Sequence, residues 1–164
     1  MSSGGREEGT CNVCGAWSSG VSYRFHGTCL AHAPAPVDVQ AVARDVFKQV
    51  RSLFIWTCDQ ENFGVPEHWS SFADDVEQGK VFRQDCDGFS LTCAELLHRR
   101  GIDPALIRIA LCWTETDGYH AVCIADGWCL DNRQRAVWHW SRLPYKWDRS
   151  MRLDEPGVWR SAAT

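Results

Sequence analysis

No apolar run in the chain approaches the roughly 20 residues that a membrane-spanning helix needs, so no segment is expected to cross a bilayer. Met1 to Thr10 is too polar for a secretory leader, which makes a cytosolic location the expectation. There is no surplus of positive charge. A net charge of −4 and a pI near 5.8 give no general electrostatic reason to hold nucleic acid or an anionic membrane. No internal repeat is visible. The nine cysteines are an odd number, so a disulfide framework cannot consume them all. In a reducing compartment they are expected to be thiols, metal ligands or nucleophiles. What remains is a chain of 164 residues, 45% hydrophobic and 23% charged, enough for one domain with a real core and a small appendage. Nine tryptophans are many for this length, and they are expected to fill core and groove walls.

The chain divides at Ala33-Pro34-Ala35-Pro36, where proline and small residues favour an extended connector. Residues 1–33 read as a zinc-binding knuckle, 34–37 as a linker and 38–164 as the main domain. In the front segment, Cys11-x-x-Cys14 and Cys29-x-x-His32 form two short-spaced pairs. Such pairs suit a tetrahedral ion, because each tight turn aims two ligands at one point. His26 is a substitute for His32. A segment this short cannot bury a stable core, so zinc would supply its folding free energy. Arg6 and Arg24 balance Glu7 and Glu8, which argues against a phosphate-gripping finger and for structural support or protein docking.

The main domain has a readable order. Val39, Val42, Ala43, Val46, Phe47, Val50 and Phe54 recur at helical spacing behind Asp38, a capping residue. Residues 56–64 read as a loop. Pro66 can open a short helix carrying Trp69, Phe72, Ala73 and Val76. A helix then begins at Cys86, with Phe89, Cys93, Leu96 and Leu97 as its apolar stripe and Gly101 as its stop. Strands follow at Ile107–Trp113, Tyr119–Ala125 and Trp128–Asp131, joined in the second case by Asp126-Gly127, a two-residue hairpin signal. Val137 onward adds a further strand, and irregular structure packed by Trp147 and Trp159 is expected after Pro144.

The hairpin fixes a register. With Asp126 and Gly127 as the central turn residues, cross-strand partners carry numbers summing to 253, so Asp131 lies opposite Val122. Asp131 is then the diagonal neighbour of His120 on the same face, at a Cα separation of roughly 7–8 Å. Cys86, as the first helical residue after Asp85, faces unpaired N–H groups and the positive dipole end, which favour its thiolate. Asp85 and Asp87 act in the opposite direction and must be offset, by His120 or by a bound cation. Gly88 either permits close approach of substrate or fits under tryptophan packing. Cysteine, histidine on a strand and aspartate on the next strand is the order of a thiol acyl-transfer site.

Asp85-Cys86-Asp87-Gly88-Phe89-Ser90-Leu91-Thr92, Tyr119-His120-Ala121-Val122 and Leu130-Asp131-Asn132 resemble motifs of the bacterial transglutaminase-like cysteine peptidases. That family includes periplasmic adhesin-cleaving proteases and small phage-encoded members. The resemblance covers about residues 55–160, with Trp69, Tyr145 and Trp147 also fitting its layout. It implies an α+β, papain-like fold in which a nucleophile-bearing helix packs on an antiparallel sheet. It implies Cys86 as nucleophile, His120 as base and then acid, and Asp131 as the group that orients the imidazole. The substrate would be a protein or peptide, in the cytoplasm of a bacterium or a phage-infected host cell. Relatives bind calcium through acidic residues around the cysteine. Asp85 and Asp87 are the residues available here, while Gly88 replaces a usual third acid.

The oxyanion donors expected are the Cys86 N–H and either Trp56 or Gln60. His98 sits near a helix end and favours the dipole there, His68 and His139 read as surface or packing residues, and Cys58, Cys93, Cys112, Cys123 and Cys129 as core. Cys58 beside Asp59 is the rival nucleophile. Two other functions fit the same residues: acyl transfer to an amine, and a catalytically idle, zinc-containing protein-binding module. Oligomeric state is not legible in the sequence.

Overall fold

A computed structural model of the chain describes residues 8–10, 17–19 and 37–162. The chain falls into two compact units, Met1–Pro36 and Val37–Thr164. In the first, β1 (Glu8–Thr10) and β2 (Trp17–Ser19) pair antiparallel, Glu8 opposite Ser19. Cys11, Cys14, Cys29 and His32, with His26, lie outside the described residues, and the expected zinc site with them.

In the second unit the amphipathic segment forms α1 (Val39–Leu53), capped by the Asp38 carboxylate accepting from the Ala41 N–H at 3.0 Å. Its apolar stripe buries Ala43, Val46, Phe47 and Val50. Residues 56–64 are more ordered than the sequence suggests. Phe54–Trp56 forms β3 and Asp59–Phe63 a short helix, α2, closed by Gly64 in the left-handed region (φ 72°). The helix expected from Pro66 begins later, as α3 (Ala73–Glu77). Residues 66–72 stay irregular, with the Phe72 N–H held by the Thr92 hydroxyl. β4 (Phe82–Gln84) pairs parallel with β3, setting Trp56 opposite Gln84.

Helix α4 (Cys86–Arg99) starts where expected, the Asp85 carboxylate accepting from the Asp87 N–H at 3.2 Å. Phe89, Leu96 and Leu97 are completely buried, each worth roughly 1.5–3 kcal/mol of apolar burial. They pack on a six-stranded antiparallel sheet built from β5 (Ile107–Trp113), β6 (Tyr119–Ala125), β7 (Trp128–Leu130), β8 (Trp138–His139), β9 (Lys146–Arg152) and β10 (Trp159–Ser161), in the order β10-β9-β5-β6-β7-β8.

The β6–β7 register is the expected one: Cys123 faces Leu130, Ile124 faces Cys129 and Ala125 faces Trp128. Asp126 (φ 44°) and Gly127 (φ 86°) both take the positive φ that a right-twisted two-residue hairpin requires. Irregular structure after Pro144 is not what forms. β9 pairs along β5 and is an interior strand. Its sequence, Lys-Trp-Asp-Arg-Ser-Met-Arg, carries little apolar alternation, because main-chain pairing on both edges holds it rather than a buried face.

Ile107, Ile109, Cys123, Ala125 and Leu130 meet α1 and α4 on one side of the sheet. Ala110, Cys112, Val122, Ile124 and Cys129 meet Leu143, Tyr145, Trp140 and Trp147 on the other. Burial on both faces explains why β6 is apolar without alternation. Among the described residues, no helix is long and apolar enough to cross a membrane.

Candidate active site

A cleft of about 660 Å³ is lined by Trp56 from β3, Asp85 and Cys86 from the head of α4, Tyr119 and His120 from the start of β6, and Asn132 and Arg133 beyond β7. Arg51 and Phe54 complete its wall. Three elements that are distant in sequence therefore bring Cys86 and His120 to one cavity. Asp131 is fully buried behind the imidazole, its Oδ1 2.8 Å from His120 Nε2.

The carboxylate of Asp131 is fully engaged. Oδ1 also accepts from the Arg133 N–H at 2.8 Å, and Oδ2 accepts from the Tyr145 hydroxyl at 2.6 Å. Gln134 Nε2 donates in turn to the Tyr145 oxygen at 3.0 Å. Burial would raise this acid, but the bond and charge of His120, with the Tyr145 and Arg133 donors, outweigh it and hold the carboxyl below its ordinary value. An ionised Asp131 fixes the proton of His120 on Nε2. Nδ1 has no hydrogen-bond partner among the described residues and is left as the basic nitrogen.

The groups around Cys86 favour its thiol over its thiolate. Burial pushes its thiol up to about 11; the Ala121 backbone N–H lowers it, while the charges of Asp85 and Asp87 raise it further. Desolvation and two carboxylates outweigh the helix N-terminus, against the sequence expectation. The thiol needs a base to take its proton, a positive charge to neutralise the acids, or both.

Such an acid cluster is present, but it differs from the Asp85–Asp87 pair read from sequence. Asp85 is committed to capping α4. Asp87 instead meets Asp59 from α2 and Glu67 from the irregular segment, with one oxygen of each within 4.8 Å of the others. Asp87 Oδ1 and Asp59 Oδ1 are buried and without a hydrogen-bond partner among the described residues. Burial first, then the neighbouring Asp85, Asp59 and Glu67, push the Asp87 carboxyl up to about 8. Two orphaned carboxylate oxygens joined by a third acid form an all-oxygen donor set that suits a hard divalent cation. Sequence reasoning missed Asp59 and Glu67 because they sit 28 and 20 residues before Asp87. The signal available was an acid at 59 inside an unusual loop. Trp69 Nε1 donates to Glu67 at 3.1 Å, which gives that tryptophan a role.

Gly88 lies neither under a tryptophan nor on the cleft. A Cβ there would meet the Gln84 side chain at 2.6–2.7 Å, so glycine is required by Gln84. Trp56, 60% exposed, lines the cleft, whereas Gln60 is exposed on α2 away from it. Cys58 is half-buried ahead of α2 and does not line the cleft, while Cys93, Cys112, Cys123 and Cys129 are buried as expected. His68 packs tilted against Phe63, with ring centroids 4.1 Å apart, and His139 packs against Trp128.

A family model for bacterial transglutaminase-like cysteine proteinases (BTLCP) matches residues 28–164. None of the curated proteins matches the chain. The fold is similar to Legionella pneumophila LapG, at 18% identity and a TM-score of 0.59, over 76% of this chain and 69% of that one. Its calcium-bound form superposes at 20% identity and a TM-score of 0.60, over 79% and 71%. The EGTA-treated form gives 17% and 0.56, over 76% and 72%.

Proposed function

Because the chain belongs to the bacterial transglutaminase-like cysteine proteinase family, we propose that it hydrolyses a protein amide bond through an acyl-thioester on Cys86, with His120 and Asp131 completing a triad. The observation that carries the reading is the 2.8 Å contact of a buried Asp131 with His120 Nε2, in a cleft whose wall includes Cys86. Free Nδ1 takes the thiol proton as sulfur attacks the carbonyl carbon. The oxyanion forms beside the Cys86 N–H at the head of α4, and Trp56 is the second donor in reach of the cleft. Nδ1–H then protonates the departing amine nitrogen. A water attacks the thioester, gives its proton to Nδ1, and the acid leaves with sulfur regaining its hydrogen. Asp131 stays ionised throughout and stabilises the imidazolium.

The same reading includes a divalent cation on Asp59, Glu67 and Asp87, with calcium the candidate, since a calcium-bound form exists for the similar Legionella structure. When bound, it supplies positive charge beside a thiol that Asp87 otherwise raises. A structural zinc on Cys11, Cys14, Cys29 and His32 rests on their spacing alone; elemental analysis should find one zinc per chain, lost in Cys11→Ser/Cys14→Ser.

The direct experiment is a search for new chain ends in a proteome incubated with wild-type protein or Cys86→Ala. New ends with the wild type and none with the variant are expected. Equal sets of ends, or none with either, would remove the peptidase reading.

A further inference from the structure

Several cations of this acidic chain are paired with acids. Arg99 pairs with Asp74, Glu77 and Glu95, Arg133 with Glu115, Arg149 with Asp148, Arg152 with Asp154 and Glu155, Arg160 with Glu155, and Lys80 with Asp75. Nine cations have no ion pair among the described residues, and four of these, Arg44, Lys48, Arg51 and Arg135, gather at one place. All four line one groove of about 630 Å³ between α1 and the segment 135–138, with Trp138, 42% exposed, at its edge. Among the described residues no acidic side chain lines it. A neighbouring hollow shares Arg44 and Trp138, adds Arg142, and has no acid among its described lining residues.

The spacing is not accidental to one side chain. Residues 44, 48 and 51 fall at i, i+4 and i+7, a single stripe along α1. The stripe spans about 10 Å at 1.5 Å per residue, the length of roughly three residues of extended peptide. Its last member, Arg51, also lines the catalytic cleft and donates to the Asn132 carbonyl, one residue beyond Asp131. Groove and cleft therefore adjoin at Arg51. Four unneutralised cations around one groove repel each other and favour an anionic occupant, and an exposed indole adds an apolar surface for it.

We propose that this groove binds an acidic segment of the peptide substrate, about three residues long, beside the scissile bond. The proposal rests on the peptidase reading. It selects a peptide over nucleic acid because the groove adjoins the cleft at Arg51 and its stripe on α1 is about 10 Å long, whereas a phosphate backbone calls for a longer basic track.

Two measurements test it. Fluorescein-labelled hexaglutamate is titrated onto full-length Cys86→Ala protein by anisotropy at low salt, with and without Arg44→Gln/Lys48→Gln/Arg135→Gln. None of these three residues lines the catalytic cleft, and all are exposed, so thermal melts should match the parent. The triple substitution should weaken binding about tenfold, with charge-retaining Arg44→Lys/Arg135→Lys restoring most of it. Unchanged hexaglutamate binding in the triple variant overturns the proposal. So does an oligothymidylate of equal length that binds more tightly and is lost in the same variant.

In the second measurement, peptides from a digested proteome are cleaved by the wild type and by the triple variant. Cleaved sites should be enriched in Asp and Glu flanks, and the enrichment should vanish in the variant while neutral-flanked sites are cut as before. Cleavage dependent on Cys86 with no acidic enrichment overturns the groove and leaves the peptidase reading standing. Absence of cleavage with intact hexaglutamate binding overturns the peptidase reading, and the groove's role in substrate recognition falls with it.

Discussion

At the scale of single residues, the site is controlled by what each polar atom already bonds. Tyr145 is the clearest instance. Its hydroxyl is the donor that satisfies Asp131 Oδ2, at 2.6 Å, while Oδ1 is shared by His120 and the Arg133 N–H. A hydrogen bond to a buried charge is worth roughly 1.5–3 kcal/mol. Tyr145→Phe keeps the ring that packs on Trp147 and His120 but strands that oxygen. We expect kcat/KM to fall about 10- to 100-fold, through kcat, with KM unchanged. Steady-state kinetics on a cleaved peptide would decide it, and a change in KM alone would assign Tyr145 to substrate contact instead. Tyr145 is visible in sequence only through the family layout. Nothing local marks it, because its partner lies 14 residues earlier and is reached through the turn into β9.

At the scale of elements, α4 begins under a constraint that its sequence half reveals. A glycine in the first turn costs about 1 kcal/mol relative to alanine, so replacing it should help unless something occupies the space. Gln84 does: it is fully buried, bonded to the Asp85 N–H at 3.3 Å and to Ser70 at 3.4 Å, and 2.6 Å from where a Cβ would sit. Overpacking of about 1–3 kcal/mol outweighs the propensity gain. Gly88→Ala should lower the melting temperature by about 2–8 °C. A rise on thermal melting would show that Gln84 yields freely.

The elements legible from sequence are those whose own pattern decides them. Asp38 and the apolar stripe of α1, Asp85 ahead of α4, and Asp126-Gly127 each carry a local cause, and the hairpin register brought His120 to Asp131 as arithmetic required. β9 was illegible because partners on β5 and β10 define it. The acid cluster was illegible because Asp59 and Glu67 reach Asp87 only after β3 pairs with β4.

At the scale of the whole molecule, the buried acids link cation, proton and stability. Asp87 is pushed up to about 8 in the cation-free fold, well above its value in an unfolded chain. The folded state thus holds this proton more tightly than the unfolded one. Its contribution to stability is complete below about pH 4 and is lost as pH rises through about 8. The proposed divalent cation would occupy the same oxygens and have to displace the proton, so it should bind better as pH rises. In EDTA the melting temperature should fall between pH 5 and pH 8. Calcium at about 100 times its Kd contributes about 2.7 kcal/mol, a rise of about 5–10 °C, and the rise should be larger at pH 8 than at pH 5. Asp87→Asn should flatten the EDTA profile and remove the calcium response together, because one carboxylate carries both effects. Scanning calorimetry at the two pH values reads this directly. A calcium rise that survives Asp87→Asn would place the cation elsewhere, and the charge that lowers the Cys86 thiol would have to come from another group.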